Sequence, residues 1–409
     1  MLAENAPRMP LERIALPLPA PRRIAADFGA SYAAAAIVAF LFAASGPVAI
    51  ILSVGARGGL AESDIASWIF AAFCLNSLIS IAFTLAYRQP LVFLWSIPGA
   101  VLVGPALGHL SFPEVIGAFL ATGLLMLVLG LSGWVRRAME AVPMPIVMAM
   151  VAGVFLRFGV DLVLAFRDAL WIAAPMTAAF FLLTVLPKLS RVLPPLIAAL
   201  IAGGAAIAIL GTFKPPAGAL FALAAPNLYV PQFSWAAMVE LVVPLAITVL
   251  VVQNAQGITV LAANGHRAPI NAITAACGVG SVITGIFGSV STCLTGPVNA
   301  LLSSSGEKSR HYSAALFFCV LAFGFGLLAP FFTRLLLATP PAFIATLAGL
   351  AMLRILQTAF TASFSGRFSF GALICFLVTV TDVAIFRIGA PFWGLVLGLA
   401  ASWLLERRA

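Results

Sequence analysis

Three amides stand almost together in one apolar run: Gln253, Asn254 and Gln256 in "VVQNAQGITVLAANG". A primary amide both donates and accepts hydrogen bonds, so it can hold a polar ligand without carrying charge. In lipid such groups are costly, and they turn toward a protein interior or a watery cavity. Gln253 and Gln256 are three apart and share a helix face, while Asn254 points about 100° away from Gln253. The competing reading is that the amides join helices by interhelical hydrogen bonds. That reading weighs more on Asn254 than on Gln253.

Two further stretches place polar and helix-breaking residues at matching positions. They are "LWSIPGAVLVGP" at 94–105 and "STCLTGPVNALL" at 291–302. If each enters as a few extended residues and then turns helical, each exposes a helix N-terminus at membrane depth. Such an end offers free N–H groups and a partial positive charge, so it can hold an anion without a cationic side chain. Pro98 and Pro297 suit a first helical turn. Ser96, Ser291, Thr292 and Thr295 can cap amides or bond a ligand. Gly99 and Gly296 permit close approach of the backbone. A lone Gly–Pro pair would read as a kink; two at matching positions read as a site.

The elements that carry these residues must cross a membrane. The chain has 409 residues, of which 63% are hydrophobic and 9% charged, with mean hydropathy +1.13. Soluble domains carry roughly a quarter charged residues. The expected fold is an all-α polytopic membrane protein of about 14 transmembrane segments. They fall at 30–54, 65–86, 91–106, 113–131, 143–158, 169–186, 192–210, 236–260, 269–287, 289–303, 311–333, 340–357, 367–386 and 388–405. Segments 3 and 10 are short and broken. A cleavable leader is not expected, because the first apolar run is long enough to span. Cys74, Cys277, Cys293, Cys319 and Cys375 are scattered in apolar runs and read as small buried hydrophobes, not as metal ligands. The charge of +9 follows the loop ends and does not imply nucleic acid.

Of the 22 Lys and Arg residues, fifteen fall at ends on the side of the N-terminus, six on the other side, and Arg354 near the inner end of segment 12. That bias predicts an even number of spans with both termini cytoplasmic. The connection 211–235 divides the chain into halves that open alike, with "LFAASGPVAIILSVGARGG" in segment 1 and "VVQNAQGITVLAANGHRAP" in segment 8. Ser45 lies in the small polar break of the first. With seven segments each, the halves form a seven-plus-seven inverted repeat. Arg157 and Asp161, four apart, are expected to pair at an interface, and Asp382 and Glu240 to be interfacial or structural acids. His109, His266 and His311 fall in predicted loops.

At "QNAQGITVLAANG", "WSIPGA" and residues 289–306 the chain resembles the bacterial benzoate:proton symporter (BenE) family, from about Asp27 to Leu405. The family is similar in fold to uracil/xanthine permeases and sulfate/bicarbonate anion transporters. The resemblance implies a tail at 1–26, a core domain at 27–132 and 236–335, and a gate domain at 133–235 and 336–409. It places substrate between the half-helices of segments 3 and 10, beside segments 1 and 8. The implied function is import of an aromatic carboxylate with protons across a bacterial inner membrane by alternating access, without a cofactor or metal. A homodimer follows by analogy with related folds. The alternatives are another organic anion or a nucleobase on the same fold, and more remotely an intramembrane enzyme or a channel. The uracil permeases place an acid where this chain offers only amides, which suits an anionic substrate but leaves the proton carrier unassigned. The candidate contacts are Gln253, Asn254, Gln256, Ser96, Ile97, Gly99, Trp95, Ser291, Thr292 and Ser45. Phe93 and Phe287 are further candidates for ring contacts.

Overall fold

The computed structural model describes residues 11–15, 17–140, 143–186, 189, 193–215, 221–304, 306–386 and 388–406. The side assignments of Arg8, Lys188, Arg191, Arg387, Arg407 and Arg408 lie outside these residues. The described chain is mostly helical. Seven helices are long and apolar enough to cross a membrane: Ala30–Arg57, Glu62–Tyr87, Phe112–Ser132, Met144–Asp168, Trp235–Ala263, Lys308–Leu327 and Pro341–Phe364. Six apolar helices are shorter: Ile97–Ala106, Leu170–Val185, Pro195–Leu210, Ile270–Gly285, Ser369–Val380 and Ala390–Leu405. With the half-helix Gly296–Leu302, each predicted segment contains a helix.

Boundaries moved where local chemistry overrode hydropathy. Segment 1 bends at Ser45 (φ −100°, ψ −99°), because Pro47 follows and has no N–H to continue the ladder. Segment 5 continues to Asp168, so Arg157 and Asp161 sit within a helix and not at its end. They do not pair with each other. Arg57 from segment 1 takes Asp161 at 2.5 Å, and Arg157 lies 3.8 Å from Asp382. Segment 11 ends at Leu327, and a second short helix, Ala329–Leu337, follows it. Segment 13 ends at Val380, and Asp382 and Phe386 then take left-handed backbone conformations. All five cysteines are free and buried.

His109 and His266 lie in connections as expected and His311 opens a helix, but all three make side-chain pairs across the fold. His109 meets Glu240 at 2.8 Å, and among the described residues Glu240 is the one buried acid. His266 meets His311 at 3.1 Å, and both are buried. The His266 imidazole is pushed down to about 4, first by burial, then by His311 and Lys308. An unfolded histidine takes its proton near pH 6.5, so between the two values the unfolded chain binds more protons. Stability is therefore full above about pH 6.5 and falls as pH drops toward 4. His266→Asn should lack this part of the acid destabilisation. Melting temperatures of both proteins across that range check it, and parallel pH profiles would refute it.

Two short strands cross at the centre, β1 (Phe93–Trp95) and β2 (Thr292–Leu294). They pair antiparallel, with Phe93 opposite Leu294, Leu94 opposite Cys293 and Trp95 opposite Thr292. The ladder is extended by Ser96 N–H to the Ser291 carbonyl (2.9 Å) and Thr295 N–H to the Val92 carbonyl (3.2 Å). A ribbon of two strands leaves its outer edges unpaired, which is untenable among apolar helices. Side chains from the surrounding segments close them. Ser80 Oγ accepts from Phe93 N–H at 2.8 Å, Ser281 Oγ from Thr292 N–H at 2.9 Å, and Asn299 Oδ1 from Val92 N–H at 3.0 Å.

Around this ribbon the helices pack in two groups. Segment 9 lies along 4, and segment 11 along 1 and 2; segment 5 lies along 12 and 13, segment 6 along 7, and 13 along 14. The groups meet chiefly where the second half of segment 1 packs on segment 12. That contact is close: a Cβ on Gly46 would lie 2.4 Å from the Cβ of Ala351. The linker residues 221–234 have no regular secondary structure and are tied by Ala224 N–H to the Leu327 carbonyl, Tyr229 N–H to that of Ile286 and Gln232 N–H to that of Pro113.

Candidate functional site

The ribbon hands each strand on to a half-helix. Ser96 and Thr295 stand at the starts of Ile97–Ala106 and Gly296–Leu302, both in extended conformation, with Pro98 and Pro297 in the first turns. Between these two starts lies a pocket. Its wall is formed by Phe42, Ala43 and Pro47 from the bend of segment 1, Leu94, Trp95 and Ile97 from segment 3, Gln253 from segment 8, and Thr295, Pro297 and Val298 from segment 10. No charged side chain lines it. Its volume is ≈ 20 Å³, room for about one water molecule. At that volume an aromatic ligand requires the walls to part.

Segment 8 delivers Gln253 through a local distortion. Residues Thr248–Asn254 form a wide π-helical turn, a feature often found at functional sites. The turn changes the phase of the residues on either side. Gln253 therefore faces the pocket, buried, and its amide has no hydrogen-bond partner among the described residues. Asn254 turns to β2. Its Oδ1 accepts from Leu294 N–H at 2.8 Å, and its Nδ2 approaches Cys277 Sγ at 3.5 Å. Gln256 is exposed and lies over Gly296, where a Cβ would meet its Cγ at 2.6 Å. Both amides therefore lie toward the start of segment 10, and Gln253 is the one that lines the pocket.

The other sequence candidates divide the same way. Trp95 and Ile97 reach the pocket. The Trp95 ring tilts onto Phe73 at 4.9 Å, and its buried indole N–H has no acceptor among the described residues. Ser96 spends its hydroxyl on its own helix, accepting from Gly99 N–H at 3.1 Å. Gly99 lies behind the pocket wall, where an added Cβ would meet Leu245 Cδ2 at 3.1 Å. Thr292 donates to Asn76 Oδ1 at 2.9 Å, on the far side of β2. Ser291 contributes its carbonyl to the ribbon, and its buried hydroxyl has no partner among the described residues. Ser45 donates to the Phe42 carbonyl at 3.0 Å and shapes the bend without lining the pocket. Phe93 packs on Phe83, and Phe287 on Phe70, both outside the pocket.

What the sequence reading missed is the support behind the ribbon. Asn76, Ser80 and Thr84 recur every fourth residue of segment 2, which puts them on one face. All three are buried, and Ser80 and Thr84 accept from Phe93 N–H and Leu91 N–H. That spacing was the available signal. The geometry also separates adjacent amides by role. Asn254→Leu should destabilise the protein by about 1–3 kcal/mol, because it leaves the Leu294 amide buried and unpaired. Thermal unfolding in detergent checks it, and an unchanged melting temperature would refute the assignment.

A broken-helix pair that meets across a short antiparallel ribbon among apolar helices is the arrangement around which this fold is built. The fold is similar to the transmembrane domain of a cyanobacterial bicarbonate transporter, BicA, with TM-score 0.61 and 13% identity, covering 89% of this chain and 97% of that one. It is likewise similar to SLC26A9, with TM-score 0.64 and 15% identity, covering 90% of this chain and 64% of that one. Residues 26–404 match the BenE family, described as benzoate membrane transport protein, and the chain belongs to that family. It is 28% identical over 371 residues to inner membrane protein YdcO of Escherichia coli (strain K12), covering 89% of this chain and 93% of that protein. It is also 28% identical over 391 residues to the benzoate membrane transport protein of Acinetobacter baylyi, covering 93% and 96%. The protein is a membrane transporter, not an enzyme.

Proposed function

We propose that this protein imports an aromatic carboxylate, benzoate or a close analogue, with protons, by alternating access. One observation carries the reading: the pocket between the half-helices is neutral and mostly apolar, with Gln253 and Thr295 as its polar side chains. Trp95 and Phe42 offer ring surfaces. A carboxylate in so dry a site needs donors. Gln253 supplies two, and the half-helix starts add backbone N–H groups and their dipoles. Gly296 and Val298 N–H are the open donors on segment 10, because Thr295 makes no side-chain cap there. The name of the Acinetobacter baylyi relative points to the same substrate class.

Fourteen crossings in two inverted halves account for the antiparallel meeting of β1 and β2. The core at 27–132 and 236–335 holds the pocket, and the gate at 133–235 and 336–409 moves against it at the Gly46–Ala351 contact. Both termini lie in the cytoplasm of a bacterium, with the protein in the inner membrane as a homodimer through its gate domains. The test is uptake into proteoliposomes from medium well above the carboxylic acid's pKa. Labelled benzoate, nicotinate, uracil and sulfate are compared with protein-free liposomes. Benzoate should accumulate faster with an inward proton gradient than without one. Accumulation of uracil or sulfate in its place, or benzoate entry equal to that of protein-free liposomes, would overturn the reading.

A further inference from the structure

The face that carries the N-terminal tail holds a second cleft, which shares no residue with the transport pocket. Its volume is ≈ 450 Å³, within the usual range of small-molecule sites. Three connections of the core build it. The turn after segment 2 brings Arg88, the turn after segment 8 brings Arg267, and the turn before segment 11 brings Lys308 and Ser309. No acid lines the cleft, and none of these three cations forms an ion pair among the described residues.

Two acids lie near: Glu307, which precedes Lys308, is exposed and outside the lining, and Glu12 is engaged elsewhere. The Glu12 carboxylate accepts from Asn271 N–H and Ala272 N–H, each at 3.0 Å, and its carbonyl takes the Tyr87 hydroxyl. Arg88 donates to the Pro17 carbonyl, yet its buried Nε has no partner among the described residues. Its backbone sits at φ 49°, ψ 42°, a left-handed conformation that is costly for a residue other than glycine. Three like charges in one cleft, one of them on the strained Arg88, oppose folding unless something compensates them. Behind them His266 is held neutral, partly by Lys308 itself. The lining is dominated by donors: guanidinium groups, an ammonium and a hydroxyl. Gln89 Oε1 is the exception, a buried acceptor in the lining without a partner among the described residues, so the complementary ligand offers negative charge, mostly acceptors, and one O–H, as a protonated phosphate does.

We propose that this cleft is a binding site for a phosphate-type oxyanion, clamped by Arg88, Arg267 and Lys308. The phosphate can come from a soluble phosphate compound or from an anionic lipid headgroup, and the site is separate from the transport pocket. The proposal does not depend on the transported substrate.

The test uses the full-length purified protein. In one arm inorganic phosphate is titrated in detergent at constant ionic strength, with chloride as the reference. In the other, nanodiscs of phosphatidylglycerol are compared with phosphatidylcholine, and retained lipid is counted by native mass spectrometry. Arg267→Gln, Lys308→Gln and the double variant are compared with Arg167→Gln, an exposed arginine outside the cleft. Arg267 and Lys308 are exposed, so these variants should fold. Each single change should weaken binding by about tenfold, and Arg167→Gln should leave it unchanged. Saturable phosphate binding in detergent supports a soluble ligand. Selective retention of phosphatidylglycerol alone supports a headgroup. Absence of both would overturn the site, as would a folded double variant that binds like the parent. Displacement of bound phosphate by benzoate would also overturn it, by joining the cleft to the transport path.

Discussion

Gln253→Leu should abolish or strongly weaken substrate binding while the protein folds as before. Gln253 is buried in the pocket wall, and its amide has no partner among the described residues. The amide faces the pocket and makes no bond to the described residues, so leucine, of similar size, takes no hydrogen bond from the fold and should leave its stability nearly unchanged. The ligand loses a hydrogen bond to a charged group, worth about 1.5–3 kcal/mol. That corresponds to a rise in Kd of about ten- to a hundredfold. Isothermal titration with benzoate, run beside a melting curve, reads both quantities. Normal binding with a lowered melting temperature would reverse the assignment and make Gln253 a packing residue. Set beside Asn254→Leu, the experiment is sharper. Two neighbouring amides should respond oppositely, one losing ligand and the other losing stability.

That contrast marks how far the sequence could be read. The broken elements were legible, because Gly–Pro pairs with flanking hydroxyls at matching places have few other uses at membrane depth. Their meeting as a paired ribbon, Trp95 opposite Thr292, agrees with that reading. Which polar side chain faces the pocket was not legible. Gln253 and Gln256 both meet the start of segment 10, but Gln253 lines the pocket while Gln256 is exposed over Gly296, a difference of depth that helical phase does not give. Thr292 and Ser96 looked like ligand donors because hydroxyls at a helix start serve a ligand or the backbone equally well. Here Thr292 donates to Asn76, and Ser96 Oγ accepts from Gly99 N–H at its own helix start.

Long-range pairings were the other gap. Arg157 and Asp161 are correctly spaced for a helix pair, yet Arg57 and Asp382 approach from other segments. His109 and Glu240 are 131 residues apart, and His266 and His311 are 45 apart. No local pattern announces such contacts. The buried hydroxyls of segment 2 were different, since Asn76, Ser80 and Thr84 keep a period of four. Their face was legible; the strand edge they serve was not.

The largest expected loss of stability comes from a single added side chain between segments 4 and 9. At Gly278 a Cβ would lie 2.4 Å from the Leu127 backbone nitrogen, 2.7 Å from its Cα and 2.8 Å from the Gly123 carbonyl oxygen. These are backbone atoms, so no side chain can swing aside. The same seam is close at Gly130, where a Cβ would meet the Ala275 nitrogen at 2.5 Å. In membranes, small residues let helix backbones approach, and packing there replaces the hydrophobic effect as the source of association. Gly278→Val forces the two helices apart along a shared seam, at the upper end of the about 1–3 kcal/mol usual for overpacking, or beyond it. The damage reaches the site, because segment 9 holds β2 through Ser281 Oγ, which accepts from Thr292 N–H. Gly278→Val should therefore lose the monodisperse folded species in detergent, or show a lowered melting temperature with weakened benzoate binding. Gly204→Val on segment 7 is the control, since no atom lies within 4 Å of its Cβ position and the residue is exposed. Equal melting temperatures for the two variants would show that the seam can yield, and that the glycines of segments 4 and 9 do not set the spacing of the helices behind β2.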